Sequence, residues 1–159
     1  MHHQITKTEA TDHTILLKQV ESIVVDNIPA SGNVCNILAL LKSELNLFWC
    51  GLYMRTSEDQ LGLGPFQGLP ACTVITLGKG VCGTAAKSGE TIIVEDVNQF
   101  PGYIACHSET RSEIVVPGFK DGKVAFVLDV DSVEVNFFKD DHKKLFESVV
   151  RGLERVLYL

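Results

Sequence analysis

The sequence predicts an α+β layered domain, an antiparallel sheet with its helices gathered mainly on one side. Three observations carry that expectation. Apolar residues recur at helical spacing near both ends of the chain, the period shortens to two from Phe48 onward, and an Asp-Gly pair joins the last two β-rich stretches just before the final helix.

From about Asp12 to Asn27, Leu16, Val20, Ile23 and Val24 recur at helical spacing, and Ile28-Pro29-Ala30-Ser31-Gly32 breaks the pattern. A second helix follows, with Val34, Ile37, Leu38, Leu41 and Leu45 on one stripe and Ser31 or Asn33 as N-cap. Next comes a strand that places Phe48, Cys50, Leu52 and Met54 on one face and Trp49, Gly51 and Tyr53 on the other. Further strands are expected near Gln60 to Phe66, Thr73 to Leu77 and Thr91 to Val94. Between the last two, Gly80 to Ala86 reads as a tight turn entering a short helix that Ser88-Gly89 stops. Residues 95–111 form an irregular polar loop, long enough to suggest a function. Ser112 to Phe119 and Lys123 to Asp131 then pair through a turn at Asp121-Gly122. The last helix, capped by Asp140 or Asp141, carries Leu145, Val149, Leu153 and Val156 on one side.

Length and composition narrow the function classes. At 159 residues the chain suits one compact domain, read as 12–159 behind a flexible N-terminus at 1–11 that includes His2 and His3. Apolar residues make up 45% and charged residues 21%, and no apolar run is long enough for a membrane span. The start lacks a secretory pattern, so a cytoplasmic location is expected. A net charge of −6 without a basic cluster disfavours nucleic acid. The five cysteines of such a chain are expected to be reduced, so each must be read as core, ligand or reactive thiol.

Cys35 and Cys50 fit core positions. Cys72, Cys82 and Cys106 sit beside loops and small residues, where a thiol stays accessible. Their wide separation argues against zinc, whose structural sites pair their ligands closely in sequence. Asp129 and Asp131 stand two residues apart in an apolar strand and so share a face, which Glu113 on the neighbouring strand could join. That face is either a solvated one or an acidic pocket suited to an ammonium group, with one acid kept protonated by its neighbours. Trp49 and Tyr53 flank Gly51 as core packing or as two pocket walls. The glycines around Lys79 lack the spacing of a phosphate loop, so no nucleotide cofactor is expected.

Four blocks together resemble the free methionine-(R)-sulfoxide reductases, a branch of the GAF-domain superfamily. They are residues 63–72 (Leu-Gly-Pro-Phe-Gln-Gly, closing with Ala-Cys), 78–85 (Gly-Lys-Gly-Val-Cys-Gly-Thr-Ala), 100–106 (Phe-Pro-Gly-Tyr-Ile-Ala-Cys) and 112–117 (Ser-Glu-Ile-Val-Val-Pro), the last completed by Leu128 to Ser132. The resemblance covers roughly Trp49 to the last helix. It implies a six-stranded antiparallel GAF sheet and reduction of the free amino acid, without metal or other cofactor. It also implies roles. Cys106 attacks, Cys72 resolves and Cys82 assists at the same site; Glu113, Asp129 and Asp131 hold the substrate amine and assist at the sulfoxide oxygen; Trp49 and Tyr53 line the pocket. Tyr103, His107, Leu52, Asn98 and Val133 depart from the residues usual in the family, two of them beside the nucleophile.

The implied reaction leaves Cys106 as a sulfenic acid, which condenses with Cys72 to a disulfide that thioredoxin reopens. Asp131 or Glu113 would be the proton donor. Two rivals remain: a ligand-sensing GAF module, for which an attached output domain would be expected, and a zinc-binding protein. The apolar faces of the terminal helices would suit a homodimer.

Overall fold

A computed structural model of the protein describes residues 12–159; the terminus expected to be flexible, residues 1–11 with its His2-His3 pair, lies outside the described residues. Helices α1 (His13–Ile23) and α2 (Ala30–Leu45) precede strands β1 (Trp49–Arg55), β2 (Gln60–Gln67) and β3 (Val74–Thr76). Helix α3 (Gly80–Ser88), strand β4 (Ile92–Val94) and a 3-10 turn (Val97–Gln99) lead to the hairpin of β5 (Ser112–Lys120) and β6 (Lys123–Ser132), and α4 (Asp140–Tyr158) ends the chain. The six strands form one sheet in the order β3-β2-β1-β6-β5-β4, every pair antiparallel.

Helices α1, α2 and α4 cover one face, burying Leu16, Ile37, Leu41, Phe146 and Val149 against Cys50, Leu52, Ile114, Phe126 and Leu128. Among the described helices, α3 alone packs on the other, with Val81, Cys82 and Ala85 over Trp49, Tyr53, Val115 and Val127. The α+β class and the three-to-one helix distribution follow the sequence pattern. No described helix is long and apolar enough to cross a membrane.

Several local expectations are corrected. Helix α1 stops at Ile23, short of Asn27, because Val24 turns extended and Asn33 captures the Val25 backbone, accepting from its N–H at 3.1 Å and donating to its carbonyl at 2.9 Å. Asn33 therefore does not cap α2. Neither does Ser31: the N-cap is Pro29, with no side-chain bond, and the helix is closed by Asn46 in the left-handed region. At α4 the N-cap is Lys139, whose backbone N–H donates to His142 Nδ1 at 3.1 Å; Asp140 and Asp141 instead lie in the first turn, where the helix dipole favours negative charge. Phe48 precedes β1 and packs on the α3 side rather than with Cys50. Cys35 is half-buried at the flank of the α2 stripe, outside the core that Cys50 joins.

The β5–β6 hairpin turns at Asp121 (φ 51°) and Gly122 (φ 77°), the pair of positive values that a tight two-residue turn demands. Its register, Glu113 opposite Asp131 and Val115 opposite Asp129, brings the acids together.

Candidate active site

The floor of the site is set by strand register. Asp131 of β6 faces Trp49 on β1 and Glu113 on β5, while Asp129 faces Gly51 and Val115. Because side chains alternate, Glu113, Asp129 and Asp131 all rise from the α3 face, and all three are buried. Their aliphatic neighbours Ile114, Leu128 and Val130 point into the three-helix core.

Helix α3 supplies one wall. Cys82 in its first turn lies with its sulfur 4.0 Å from Glu113 Oε1. The thiol is buried among Val81, Ala85 and Ala86, which corrects the expectation of an accessible sulfur: the loop-like sequence around it is the start of a packed helix.

Two loops close the top. Cys106, from the long connection between the 3-10 turn and β5, is joined to Cys72 in a disulfide with a Cα–Cα distance of 5.4 Å. Beneath lies a small cavity of about 30 Å³, lined by Cys82, Cys106, His107, Glu113, Asp129 and Asp131 among others. A cavity of that size accommodates a water or two, whereas pockets for small organic ligands span roughly 300–1,000 Å³. With the disulfide formed, the cavity is too small for an amino acid.

Trp49 and Tyr53 are not cavity walls in this state. Their rings stack at 6.0 Å, and Gly51 between them leaves no slot, since a Cβ there would sit 2.5 Å from Trp49 Cη2. Both side chains grip the Cys72 loop instead: Trp49 Nε1 donates to the Leu69 carbonyl at 3.0 Å and the Tyr53 hydroxyl to the Cys72 carbonyl at 2.9 Å. Ile75, Lys79, Tyr103, Ile104 and Thr110 also line the cavity. Sequence reasoning assigned none of these a role, though Tyr103 and Ile104 lie in the block that contains Cys106. Thr110 carries no sequence signal, because only the path of the loop brings it there.

Burial dominates the electrostatics. It pushes the Glu113 carboxyl well above the usual carboxylate range, with the charges of Asp129 and Asp131 adding to the rise. Asp131 is raised in the same way by burial and then by Asp129. Asp129 is raised by burial too, but hydrogen bonds from Glu113 and Cys82 and the proximity of His107 oppose the rise. Burial therefore favours the protonated form at Glu113 and Asp131, while Asp129 is the carboxyl whose anion its neighbours best support. The Cys82 thiol is held well above its ordinary value by burial and then by the Asp129 and Glu113 charges, so it remains protonated.

Chain separation between ligands had argued against a metal, yet the donor atoms of Cys82, Glu113 and Asp129 lie within 4.8 Å of one another. A metal would require all three deprotonated, opposite to the direction in which burial drives them. Proton storage suits this donor set better.

A curled antiparallel sheet with a carboxyl cluster roofed by a disulfide defines the class of molecule: the GAF domain family matches residues 33–157. The particular branch follows from relatives. The chain is 47% identical over 129 residues to the free methionine-R-sulfoxide reductase of Saccharomyces cerevisiae, covering 79% of this chain and 71% of that one. Against the enzyme of the same name from Escherichia coli it is 41% identical over 127 residues, covering 79% and 76%. The structure of free methionine-R-sulfoxide reductase from Neisseria meningitidis in complex with its substrate superposes with a TM-score of 0.88 at 41% identity, covering 93% of this chain and 92% of that one. The chain belongs to the free methionine-R-sulfoxide reductase family of GAF-domain proteins.

Proposed function

We propose that this protein reduces free L-methionine (R)-sulfoxide to L-methionine, with Cys106 as nucleophile, Cys72 as resolving thiol and a dithiol of thioredoxin type as reductant. The observation that carries this reading is the convergence of three buried carboxyl groups directly beneath the Cys72–Cys106 bond. The activity named for the relatives supports the substrate and its epimer.

In the reduced protein the loops part and admit substrate. Asp129, with Oδ1 buried and lacking a hydrogen-bond partner among the described residues, accepts from the substrate ammonium. Cys106 thiolate attacks the sulfoxide sulfur while Glu113 or Asp131 donates a proton to its oxygen. In the resulting adduct the Cys106–sulfur bond then breaks as the hydroxyl passes from the substrate sulfur to Cys106, so methionine leaves and Cys106 remains as a sulfenic acid. Cys72 then attacks Cys106, forming the S–S bond and expelling that oxygen as water. Exchange with the external dithiol restores both thiols. A peptide-bound residue lacks the ammonium and would leave a buried carboxylate unpaired, so the free amino acid is preferred.

The test is methionine production from the free (R)-sulfoxide with thioredoxin, thioredoxin reductase and NADPH. Cys106→Ser is expected to produce none, and Cys72→Ser about one equivalent without efficient recycling. Full activity in Cys106→Ser would overturn the assignment.

A further inference from the structure

Three ring-borne donors hold three carbonyls of one four-residue segment. Trp49 Nε1 donates to Leu69, His107 Nε2 to Pro70 at 3.0 Å, and the Tyr53 hydroxyl to Cys72. Two of these donors stand on β1 and tie the Cys72 segment to the sheet. The third directly follows Cys106, so its bond spans the two loops whose sulfurs meet.

We propose that His107 is a positioning residue for the thiol relay, clasping the Cys106 loop to the Cys72 loop through the Pro70 carbonyl. Its ring is well placed to do so. It is buried, meets Phe48 edge-on at 5.5 Å and lies 6.0 Å from Trp49, so few rotamers are open to it. A carbonyl can only accept, which fixes Nε2 as the protonated nitrogen. Proline offers no N–H and has a fixed φ, so Pro70 transmits the position of its carbonyl stiffly to Cys72 two residues on.

The clasp and the disulfide close the same gap. Whichever forms first removes part of the entropy cost of the other, so each stabilises the other by the same amount. In the catalytic direction the Cys106 sulfenic acid and the Cys72 thiol give the disulfide and water, and the clasp raises the effective concentration of Cys72 at Cys106. The role in turnover rests on the reductase reading; the coupling to the disulfide does not.

The experiment equilibrates wild type, His107→Phe and His107→Gln in glutathione redox buffers and counts free thiols at Cys72 and Cys106 by alkylation and mass spectrometry. Phe keeps the ring volume and loses the donor, whereas Gln keeps an N–H at similar reach. A buried hydrogen bond has a net worth of about 1 kcal/mol, so His107→Phe is expected to lower the equilibrium constant for disulfide formation about fivefold, or ~20 mV for a two-electron couple. His107→Gln should stay within about twofold of wild type. Global destabilisation shared by both redox states would not move this ratio, and His107→Met serves as the donor-free variant if Phe folds poorly.

A single turnover with stoichiometric methionine (R)-sulfoxide supplies the second readout. Measured after the methionine has been released, the sulfenic acid should persist about fivefold longer in His107→Phe than in wild type and be trapped by a 1,3-diketone. A wild-type disulfide equilibrium in His107→Phe, or an equal shift in His107→Gln, would overturn the proposal. Absence of methionine from wild type would instead overturn the substrate assignment, leaving the glutathione result valid.

Discussion

The two faces of one sheet are built from alternate residues of the same strands, and they do opposite work. On β6, Leu128 and Val130 vanish beneath three helices, while Asp129 and Asp131, alternating with them, open toward α3 and the disulfide. On β1, Cys50 and Leu52 join the apolar core while Trp49 and Tyr53 hold the loop that bears Cys72. Both sets of side chains are buried. What differs is whether the buried atoms can satisfy one another. The helical face is satisfied by contact alone, whereas the α3 face stores unfavourable carboxyl burial that the other face must offset.

Exchanging the character of the faces should have the largest effect. Leu128→Asp places a lone charge in the three-helix core and is expected to cost about 4–5 kcal/mol, a large part of the stability of a domain this size. Circular dichroism with urea titration reads this as an unfolded or barely folded protein. Next comes the adjacent position. Asp129→Asn removes the best-supported anion and should lower kcat/KM for the free sulfoxide by roughly 10²–10³-fold, yet leave the urea midpoint unchanged or higher. An Asn variant that lost stability as Leu128→Asp does would erase the distinction between the faces.

A pH series sharpens the contrast. Glu113 and Asp131 have folded-state pKa values raised well above those of the unfolded chain. Between the two values the native state binds more protons than the unfolded state, so stability is fully present below the unfolded carboxyl range and falls as pH rises toward the folded values. Glu113→Gln should therefore lose less of its urea midpoint than wild type as pH rises above the ordinary carboxylate range. An equal slope in the variant would remove Glu113 from the proton store. The smallest effect belongs to neither face. Gly122→Ala at the hairpin turn, where φ is 77°, should cost about 1 kcal/mol with no change in kcat/KM.

Much of this architecture was legible because periodicity is local. The alternation of Leu128 to Asp131, the stripe on α2 and the Asp121-Gly122 turn each declare themselves within a few residues. Helix boundaries were less legible, because caps depend on partners outside the helix. Asn33 looked like an N-cap and instead holds Val25. His142 drew no notice and yet accepts the N–H of Lys139 at the start of α4.

The sequence by itself determined the parity of the strands, and with it which residues share a face, since alternation is a property of the extended backbone. It also supplied the resemblance that gathers the cysteines and acids into one site. Tertiary structure alone decided that Cys82 is sealed in, that Trp49 and Tyr53 grip a loop, and that His107 bridges the loops of Cys72 and Cys106. Those outcomes depend on distances between segments about twenty to forty residues apart, and such distances follow from how the whole chain packs.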